Sequence, residues 1–252
     1  MFRASLSGIG PPLCVALIAM ALMIFGPMGC ACDQPEMPQL ADNWSATVLV
    51  RVGGGHGTGV VVSHCGHILT NAHVANAAEG GEIQVIVDGP EAMILDASVV
   101  AVDEEHDLAI LRVQHAFERV AAIETDDSTF FPGDGCYSIG YPLGFGKLAS
   151  VGNVRTAHFS ASGPGVPPVT RDAMMLEQQM EPGTSGSGIY STRDGKLVGL
   201  MSQILWSGQS VFQLESSPIV VPVRHIRPFL TKNHVPFCRE HPVFSGCSVS
   251  GS

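Results

Sequence analysis

Charged side chains are scarce in this chain. They make up 14% of its 252 residues, and only three lysines are present. Acidic residues outnumber Lys and Arg by 23 to 13, which gives a formal net charge of −10 at pH 7. Proteins that bind nucleic acid contact its phosphates through clustered Lys and Arg, and no basic stripe occurs here. We therefore exclude nucleic acid as a partner and attribute the acidity to solubility.

Long stretches with helical periodicity are also scarce, whereas Gly (29) and Pro (17) are plentiful. Hydrophobic residues make up 45% of the chain, which is enough for a large core. Short apolar runs separated by turn residues indicate an all-β chain. The predicted strands are Ala46–Val52, Thr58–Ser63, His67–Thr70, Ile83–Val87, Ala92–Val102, Leu108–Val113, Cys136–Ile139, Leu148–Ala157, Ala173–Gln179, Gly188–Ser191, Leu197–Leu205 and Val211–Glu215.

These strands fall into two successive groups of about six, which predicts two antiparallel β-barrels packed together. The barrels would occupy about residues 44–122 and 135–225 of a domain spanning residues 44–230. A short C-terminal helix is predicted through Arg224–Leu230, although Pro228 limits it. Residues 33–43 read as a polar linker, and residues 231–252 are too few for another domain.

The N-terminal residues 1–32 have the pattern of an export signal. Arg3 precedes an apolar run over Leu13–Phe25, and small residues follow it. The run is short for a membrane-spanning helix. Cleavage, lipidation at Cys30 and retention as an uncleaved membrane anchor stay open. All three place the folded part outside the cytoplasm, in the periplasm or secreted.

Export changes the interpretation of the cysteines. Cys238 and Cys247 enclose a short tail segment and are the favoured disulfide, whereas Cys65 and Cys136 either pair or stay as thiols. Zinc binding around Cys65 lacks a second ligand pair at a fitting spacing. We expect no metal and no cofactor.

Three local features carry the chemistry. His73 follows the apolar strand His67–Thr70, and a neutral imidazole can accept and return a proton near working pH. Asp107 stands at the start of the apolar run Leu108–Val113, where a buried carboxylate needs a partner such as a histidine N–H. For each residue alone, an ordinary structural role is the more common case.

The third feature is Ser185 in the loop Pro182–Gly188, which has glycines at positions 183, 186 and 188. A serine hydroxyl becomes a nucleophile when a base takes its proton and nearby donors receive the oxyanion. Glycine allows the sharp turn that brings backbone N–H groups close to a substrate carbonyl. Alone, this loop is more often a surface turn.

In this order, the motifs resemble the trypsin-like serine proteases, and most closely their HtrA/Deg-type branch. The resemblance covers about residues 44–230. Its motifs are Gly57–Val62, Leu69–Val74, His106–Leu111, Gly133–Gly135, Ser138–Gly144, Pro182–Gly188 and Gly195–Leu200.

The resemblance implies a double β-barrel and an endopeptidase that cleaves proteins or peptides through an acyl-enzyme, in quality control or processing. His73 would be the general base, Asp107 its orienting carboxylate and Ser185 the nucleophile. The backbone N–H groups of Gly183 and Ser185 would form the oxyanion hole.

The chain departs from the family at several points. Thr184 stands where the family usually has Asn or Asp, and Ser187 is a second hydroxyl expected to lie behind the nucleophile. PDZ modules are common in the HtrA branch, and none is expected here. Oligomeric state is left open.

Substrate preference follows from positions that would line the specificity pocket: Gln179, Met180, Leu200, Met201 and Ser202. No acidic residue occupies the position matched by Gln179, which predicts a small or medium apolar P1 residue rather than Arg or Lys. An inactive protease-fold binding module tethered at the membrane is the alternative to a peptidase.

Overall fold

The computed structural model describes residues 39–126, 130–144, 146–161, 168–178, 181–205 and 217–240. The apolar run Leu13–Phe25, the tail beyond residue 240 and the pocket positions Gln179 and Met180 lie outside the described residues. Two closed, six-stranded antiparallel barrels make up most of the described chain, which confirms the predicted fold class.

Barrel one is formed by the first six strands, most of which bury branched apolar side chains. In the first strand, for example, Val48, Val50 and Val52 are buried and Arg51 is exposed. The strands are β1 Thr47–Val52, β2 Gly55–Val61, β3 His67–Thr70, β4 Ile83–Val87, β5 Met93–Asp103 and β6 Leu108–Val113. Around the barrel the neighbours follow the order β1-β2-β3-β6-β5-β4.

Barrel two repeats this plan further along the chain. Its strands are β7 Gly135–Gly140, β8 Leu148–Ser160, β9 Arg171–Glu177, β10 Gly188–Ser191, β11 Leu197–Leu205 and β12 Ser217–Pro222. Their order around the barrel is β10-β11-β12-β9-β8-β7. The closing strand is β12, whereas the sequence predicted Val211–Glu215, which lies outside the described residues.

Among the residues that the structure describes, three short α-helices accompany the barrels: α1 Leu40–Ser45, α2 Ala72–Asn76 and α3 Val223–Lys232. Helix α1 begins inside the stretch predicted as a linker. Helix α3 extends beyond the predicted Arg224–Leu230 on both sides and contains Pro228. Within the described ranges, no helix combines the length and the apolar character needed to cross a membrane.

The predicted disulfide between Cys238 and Cys247 is wrong, and of the two alternatives left open for Cys136 the structure has the free thiol. Cys136 and Cys238 are free thiols, so Cys238 does not bridge to Cys247, and Cys65 does not pair with Cys136. Cys136 lies on β7 with its side chain in the core of barrel two, beside Val154 and Ile189. Burial raises the pKa of the Cys136 thiol to about 12, so it behaves as a small core hydrophobe.

Candidate active site

The pairing of β3 with β6 explains how His73 meets Asp107. In this antiparallel pair Thr70 lies opposite Ala109, so the residues that follow β3 and those that precede β6 are neighbours. His73 stands on α2, directly after β3, and Asp107 immediately precedes β6. The His73 Nδ1 lies 2.9 Å from Asp107 Oδ2 and 3.0 Å from Oδ1.

Asp107 is fixed from several sides. Its backbone has φ 55°, an uncommon conformation for a residue other than glycine, and its carbonyl accepts a hydrogen bond from Asn71 Nδ2 at 3.0 Å. Its Oδ1 also accepts from the backbone N–H of His73 at 3.0 Å. The Ser202 hydroxyl donates to Oδ2 at 2.5 Å. The carboxylate is therefore buried but fully bonded, as a charge away from water requires.

This arrangement sets the tautomer of His73. A carboxylate only accepts hydrogen bonds, so the proton of the neutral imidazole lies on Nδ1 and the lone pair on Nε2. The His73 side chain is 45% exposed, compared with 9% for Asp107. The Nε2 lone pair of His73 is therefore accessible at the surface, whereas the Asp107 carboxylate that supports the imidazole is shielded from solvent.

The Ser185 loop joins β9 to β10 in barrel two and is bonded directly to barrel one. The Thr58 N–H, on β2, donates to the Ser185 carbonyl at 2.7 Å. The Gly186 N–H donates to the Met201 carbonyl at 2.9 Å. Gly186 has φ 86°, and a Cβ there would lie 2.0 Å from the Thr58 carbonyl oxygen. This position therefore needs glycine, because it combines a left-handed backbone with the close approach of the two barrels.

The turn before Ser185 has the geometry of a type II turn. The Thr184 N–H bonds to the Glu181 carbonyl at 3.3 Å, Pro182 takes the second position, and Gly183 has φ 94° at the third. The Pro182 carbonyl accepts a hydrogen bond from the Leu143 N–H at 2.8 Å. The peptide bond between Pro182 and Gly183 is planar and trans, so the Gly183 N–H points in the direction opposite to the Pro182 carbonyl. No described residue accepts a hydrogen bond from the N–H of Gly183 or Ser185.

The Ser185 hydroxyl is not yet bonded to its expected base. Its Oγ donates to the Ser202 carbonyl at 3.3 Å, and among the described residues no hydrogen bond joins it to His73. Catalytic hydrogen bonds often form only when substrate is bound, and a serine hydroxyl changes its direction by rotation about χ1 between staggered rotamers.

The second hydroxyl of the loop is inaccessible. Ser187 is 1% exposed and its Oγ is buried. A Cβ on Gly140 would lie 1.9 Å from that oxygen, which places the Ser187 side chain against the backbone of β7. Ser187 therefore faces the barrel behind the loop, as predicted.

Three of the predicted pocket positions lie on β11, and all have buried side chains. Leu200 packs in the main core cluster and Met201 in the core of barrel two. Ser202 is 1% exposed and bonds to Asp107, a role that its position alone did not reveal. The local indication was a small polar residue directly after the apolar stretch 197–201 of β11.

Comparison with known proteins agrees with this geometry. The family model described as the trypsin-like peptidase domain matches residues 57–200. The putative serine protease HhoA of Synechocystis sp. is 30% identical over 152 residues, which are 60% of this chain and 37% of that protein. The periplasmic pH-dependent serine endoprotease DegQ of Escherichia coli is 29% identical over 61% of this chain and 32% of its own length. The chain thus spans well under half of these relatives.

A solved structure shows the same architecture over more of its length. A mutant of Rv3671c from M. tuberculosis H37Rv, crystallised in an inactive form, has a TM-score of 0.64 and 25% identity. The match covers 79% of this chain and 91% of that one. The HtrA-type protease AlgW, solved with a decapeptide, shares the fold with a TM-score of 0.62. Since the family model covers more than half of the sequence, the chain belongs to the family of the trypsin-like peptidase domain.

Proposed function

We propose that the chain is a serine endopeptidase in which Ser185, His73 and Asp107 form the catalytic triad. The observation that carries the proposal is the His73–Asp107 pair, held at 2.9 Å next to a serine loop that is bonded to barrel one through Thr58. The serine protease relatives support the same reaction class.

The first half of the reaction is acylation of Ser185. The substrate draws the Ser185 hydroxyl towards His73 Nε2, which takes its proton as Oγ attacks the scissile carbonyl carbon. The negative charge that develops on the carbonyl oxygen is stabilised by the N–H groups of Gly183 and Ser185. The imidazolium returns its proton to the leaving amine as the C–N bond breaks, while Asp107 stabilises its positive charge.

The second half is hydrolysis of the ester. A water molecule gives a proton to His73 Nε2 and attacks the acyl carbon, and the same two N–H groups stabilise the second oxyanion. The ester bond to Ser185 Oγ then breaks, and Oγ recovers its proton from His73. The proton that His73 takes from water in this half is the one that it returns to Ser185 Oγ, so the enzyme is regenerated.

We further propose that the substrates are proteins or peptides with a small or medium apolar P1 residue. The chain would cleave them outside the cytoplasm, during quality control or processing. The periplasmic relative DegQ supports the location. Because Leu200 and Met201 have buried side chains, β11 would contact substrate mainly through its backbone. A cleavage profile across a peptide library tests the preference, and dominance of basic P1 residues would refute it.

The proposed activity is tested by proteolysis of an unfolded protein substrate. Ser185→Ala and His73→Ala should each lower the rate by several orders of magnitude, on the order of the 10⁴- to 10⁶-fold losses found for triads elsewhere. Ser187→Ala is the matched control, because it removes a hydroxyl from the same loop and should keep most of the activity. Activity that survives in Ser185→Ala would refute the assignment.

The alternative is a protease-fold binding module without catalysis. It is favoured by one observation, the Ser185 hydroxyl bonded to the Ser202 carbonyl instead of to His73. A folded wild-type protein that binds peptides but never cleaves them would support this alternative over the peptidase.

A further inference from the structure

A cluster between the barrels lies outside the catalytic triad and reaches the oxyanion turn. We propose that Trp44, Asp88, Tyr141 and Lys147, here called the interbarrel clasp, position the Pro182–Gly183 peptide so that the Gly183 N–H is held ready for the oxyanion. The proposal deepens the proposed function and rests on it. The four residues of the interbarrel clasp are positioning residues, since none contacts the reacting atoms.

The clasp is centred on two buried side chains of barrel two. The Tyr141 hydroxyl donates to Asp88 Oδ2 at 2.7 Å, and Tyr141 is 2% exposed. The Lys147 Nζ donates to the Trp44 carbonyl at 2.7 Å and lies 3.7 Å from Asp88 Oδ2. It also stands 5.5 Å from the ring centroids of both Trp44 and Tyr141, within cation–π range.

These contacts join the two barrels. Trp44 belongs to α1 and Asp88 directly follows β4, so both are attached to barrel one. Tyr141 directly follows β7, and Lys147 directly precedes β8. The Lys147 side chain is only 4% exposed. A buried ammonium is costly without partners, so the position of Lys147 depends on this site on barrel one.

The turn that follows Tyr141 connects the clasp to the oxyanion loop. The Gly144 N–H bonds to the Tyr141 carbonyl at 3.2 Å, which closes a turn around Leu143. Leu143 has φ 54°, and such a conformation is maintained only when its surroundings enforce it. In this conformation the Leu143 N–H donates to the Pro182 carbonyl at 2.8 Å and thereby sets which way the Gly183 N–H points.

A second connection runs through Thr58. The Tyr141 N–H donates to Thr58 Oγ1 at 3.0 Å, and Thr58 Oγ1 donates to the Gly183 carbonyl at 3.3 Å. The backbone on both sides of Gly183 is thus bonded, directly or through one hydroxyl, to residues 141–143. Loss of the clasp should release this turn and allow the Pro182–Gly183 peptide to rotate, which would remove one oxyanion donor.

The test is Tyr141→Phe, which removes the hydroxyl bonded to Asp88 and keeps the ring. Removing an oxyanion donor outright costs about 10²- to 10³-fold in kcat, so loosening one should lower kcat about tenfold. KM should stay within about twofold, and affinity for a peptide aldehyde, which forms an oxyanion in the site, should fall with kcat. Asp88→Asn keeps an acceptor for the Tyr141 hydroxyl and should retain more activity than Asp88→Ala.

Tyr137→Phe is the matched control. Tyr137 is also a buried tyrosine near the barrel interface, and its hydroxyl accepts a hydrogen bond from Asn43 at 2.9 Å. This variant should lower the melting temperature but leave kcat unchanged. Equal kcat losses in the two variants, or a Tyr141→Phe protein with normal kcat, would overturn the proposal.

Hydrogen exchange separates failure of the clasp from failure of the proposed function. In Tyr141→Phe the Leu143 amide should exchange faster, and in Tyr137→Phe it should not. If the wild type cleaves nothing but this difference in exchange appears, the clasp holds the turn and the peptidase proposal fails. If the wild type cleaves and Leu143 exchange is the same in both variants, the clasp proposal fails alone.

Discussion

At the level of single residues, the candidate active site depends on the hydrogen bonds that Asp107 accepts. Asp107 accepts hydrogen bonds from the side chains of His73 and Ser202 while its own backbone is held by Asn71. Every one of these partners donates, which is what an ionised carboxylate requires. The tautomer of His73 therefore depends on Asp107 remaining an acceptor.

Asp107→Asn tests this dependence. An Asn side chain of the same shape can turn its amide N–H towards His73 Nδ1, which then becomes the acceptor and leaves the proton on Nε2. We expect kcat to fall about 10⁴-fold, as for the corresponding change in triads elsewhere, with little change in the melting temperature. Steady-state hydrolysis of a peptide substrate measures this loss.

Asp103→Asn is the control for that experiment. Asp103 lies in the same turn and bonds to His106 Nδ1 at 2.9 Å instead of to the base. It should keep kcat within about threefold of the wild type, since it does not contact His73. A loss as large as that of Asp107→Asn would show that the turn, and not the tautomer, is at fault.

Gly186→Ala should disrupt the contact between the serine loop and β2. The added Cβ would lie 2.0 Å from the Thr58 carbonyl oxygen in a backbone with φ 86°. The backbone strain alone is worth about 1–3 kcal/mol, so we expect a lower melting temperature together with loss of activity. Gly146→Ala is the control, because a Cβ at Gly146 meets nothing within 4 Å. Normal activity in Gly186→Ala would contradict the described loop geometry.

At the level of secondary-structure elements, one carboxylate links α3 to barrel two by ion pairs, in addition to the buried apolar face of the helix. Asp172, on β9, accepts from Arg224 Nε at 2.7 Å and lies 2.9 Å from His158 Nδ1. Partial burial raises the pKa of Asp172, but hydrogen bonds from Arg224 and His158 outweigh it and lower the pKa to about 2. A carboxyl group with a lowered pKa stabilises the fold above its unfolded value near 3.8, and this contribution is lost as pH falls towards 2.

Arg224→Met should therefore lower the melting temperature at pH 7 and have less effect in acid. Because the Asp172 side chain is 42% exposed, solvent screens the pair, and we expect a shift of about 2–4 °C, corresponding to about 1 kcal/mol. The difference from wild type should shrink between pH 4 and pH 2, as followed by circular dichroism. Arg171→Met, which breaks an exposed pair with Glu105 at 4.0 Å, should show no shift at any pH.

The elements themselves were largely predictable, because apolar alternation and turn residues are local signals. The strands His67–Thr70, Ile83–Val87 and Leu108–Val113 occur with the predicted bounds. Strand β12 was not predicted, because prolines such as those at 218 and 222 usually interrupt a strand. Proline is tolerated near the ends of a strand, where Pro218 lies opposite Ile204 and Pro222 opposite Gly199.

At the scale of the whole molecule, the barrels are tied together by buried polar contacts. Asn43, on α1, is fully buried, and its Nδ2 donates to the Tyr137 hydroxyl at 2.9 Å and to the Gly195 carbonyl at 2.7 Å. Helix α1 leads directly into β1 of barrel one, whereas Tyr137 and Gly195 belong to barrel two. These bonds should make the two barrels unfold as one unit.

Asn43→Ala should lower the free energy of unfolding by about 1–3 kcal/mol, since it removes two buried hydrogen bonds. Unfolding should remain one transition, measured by denaturant titration with fluorescence and circular dichroism together. Ser45→Ala, which removes an exposed hydrogen bond on the same helix, should change stability by less than about 0.5 kcal/mol. Two separate transitions in the wild type would contradict the coupling.

Apart from the pair of His73 and Asp107, partnerships between residues far apart in the sequence were not predicted. Ser202 was predicted only as a pocket position, and its hydrogen bond to Asp107 was not predicted. Cys238 was predicted to form a disulfide with Cys247, but it is a free thiol. Its backbone pairs with that of Ala122 in an isolated parallel β-bridge. Spacing along the chain predicts neighbours in sequence, whereas these contacts depend on how distant segments pack.

Covalent labelling with a fluorophosphonate, which reacts with activated serine hydroxyls, shows whether Ser185 is a nucleophile activated by His73. We expect one adduct per chain, located on Ser185 by mass spectrometry of the digested protein and absent from folded Ser185→Ala and His73→Ala. A folded wild-type protein that does not label, or an adduct on another residue such as Ser187, would contradict it.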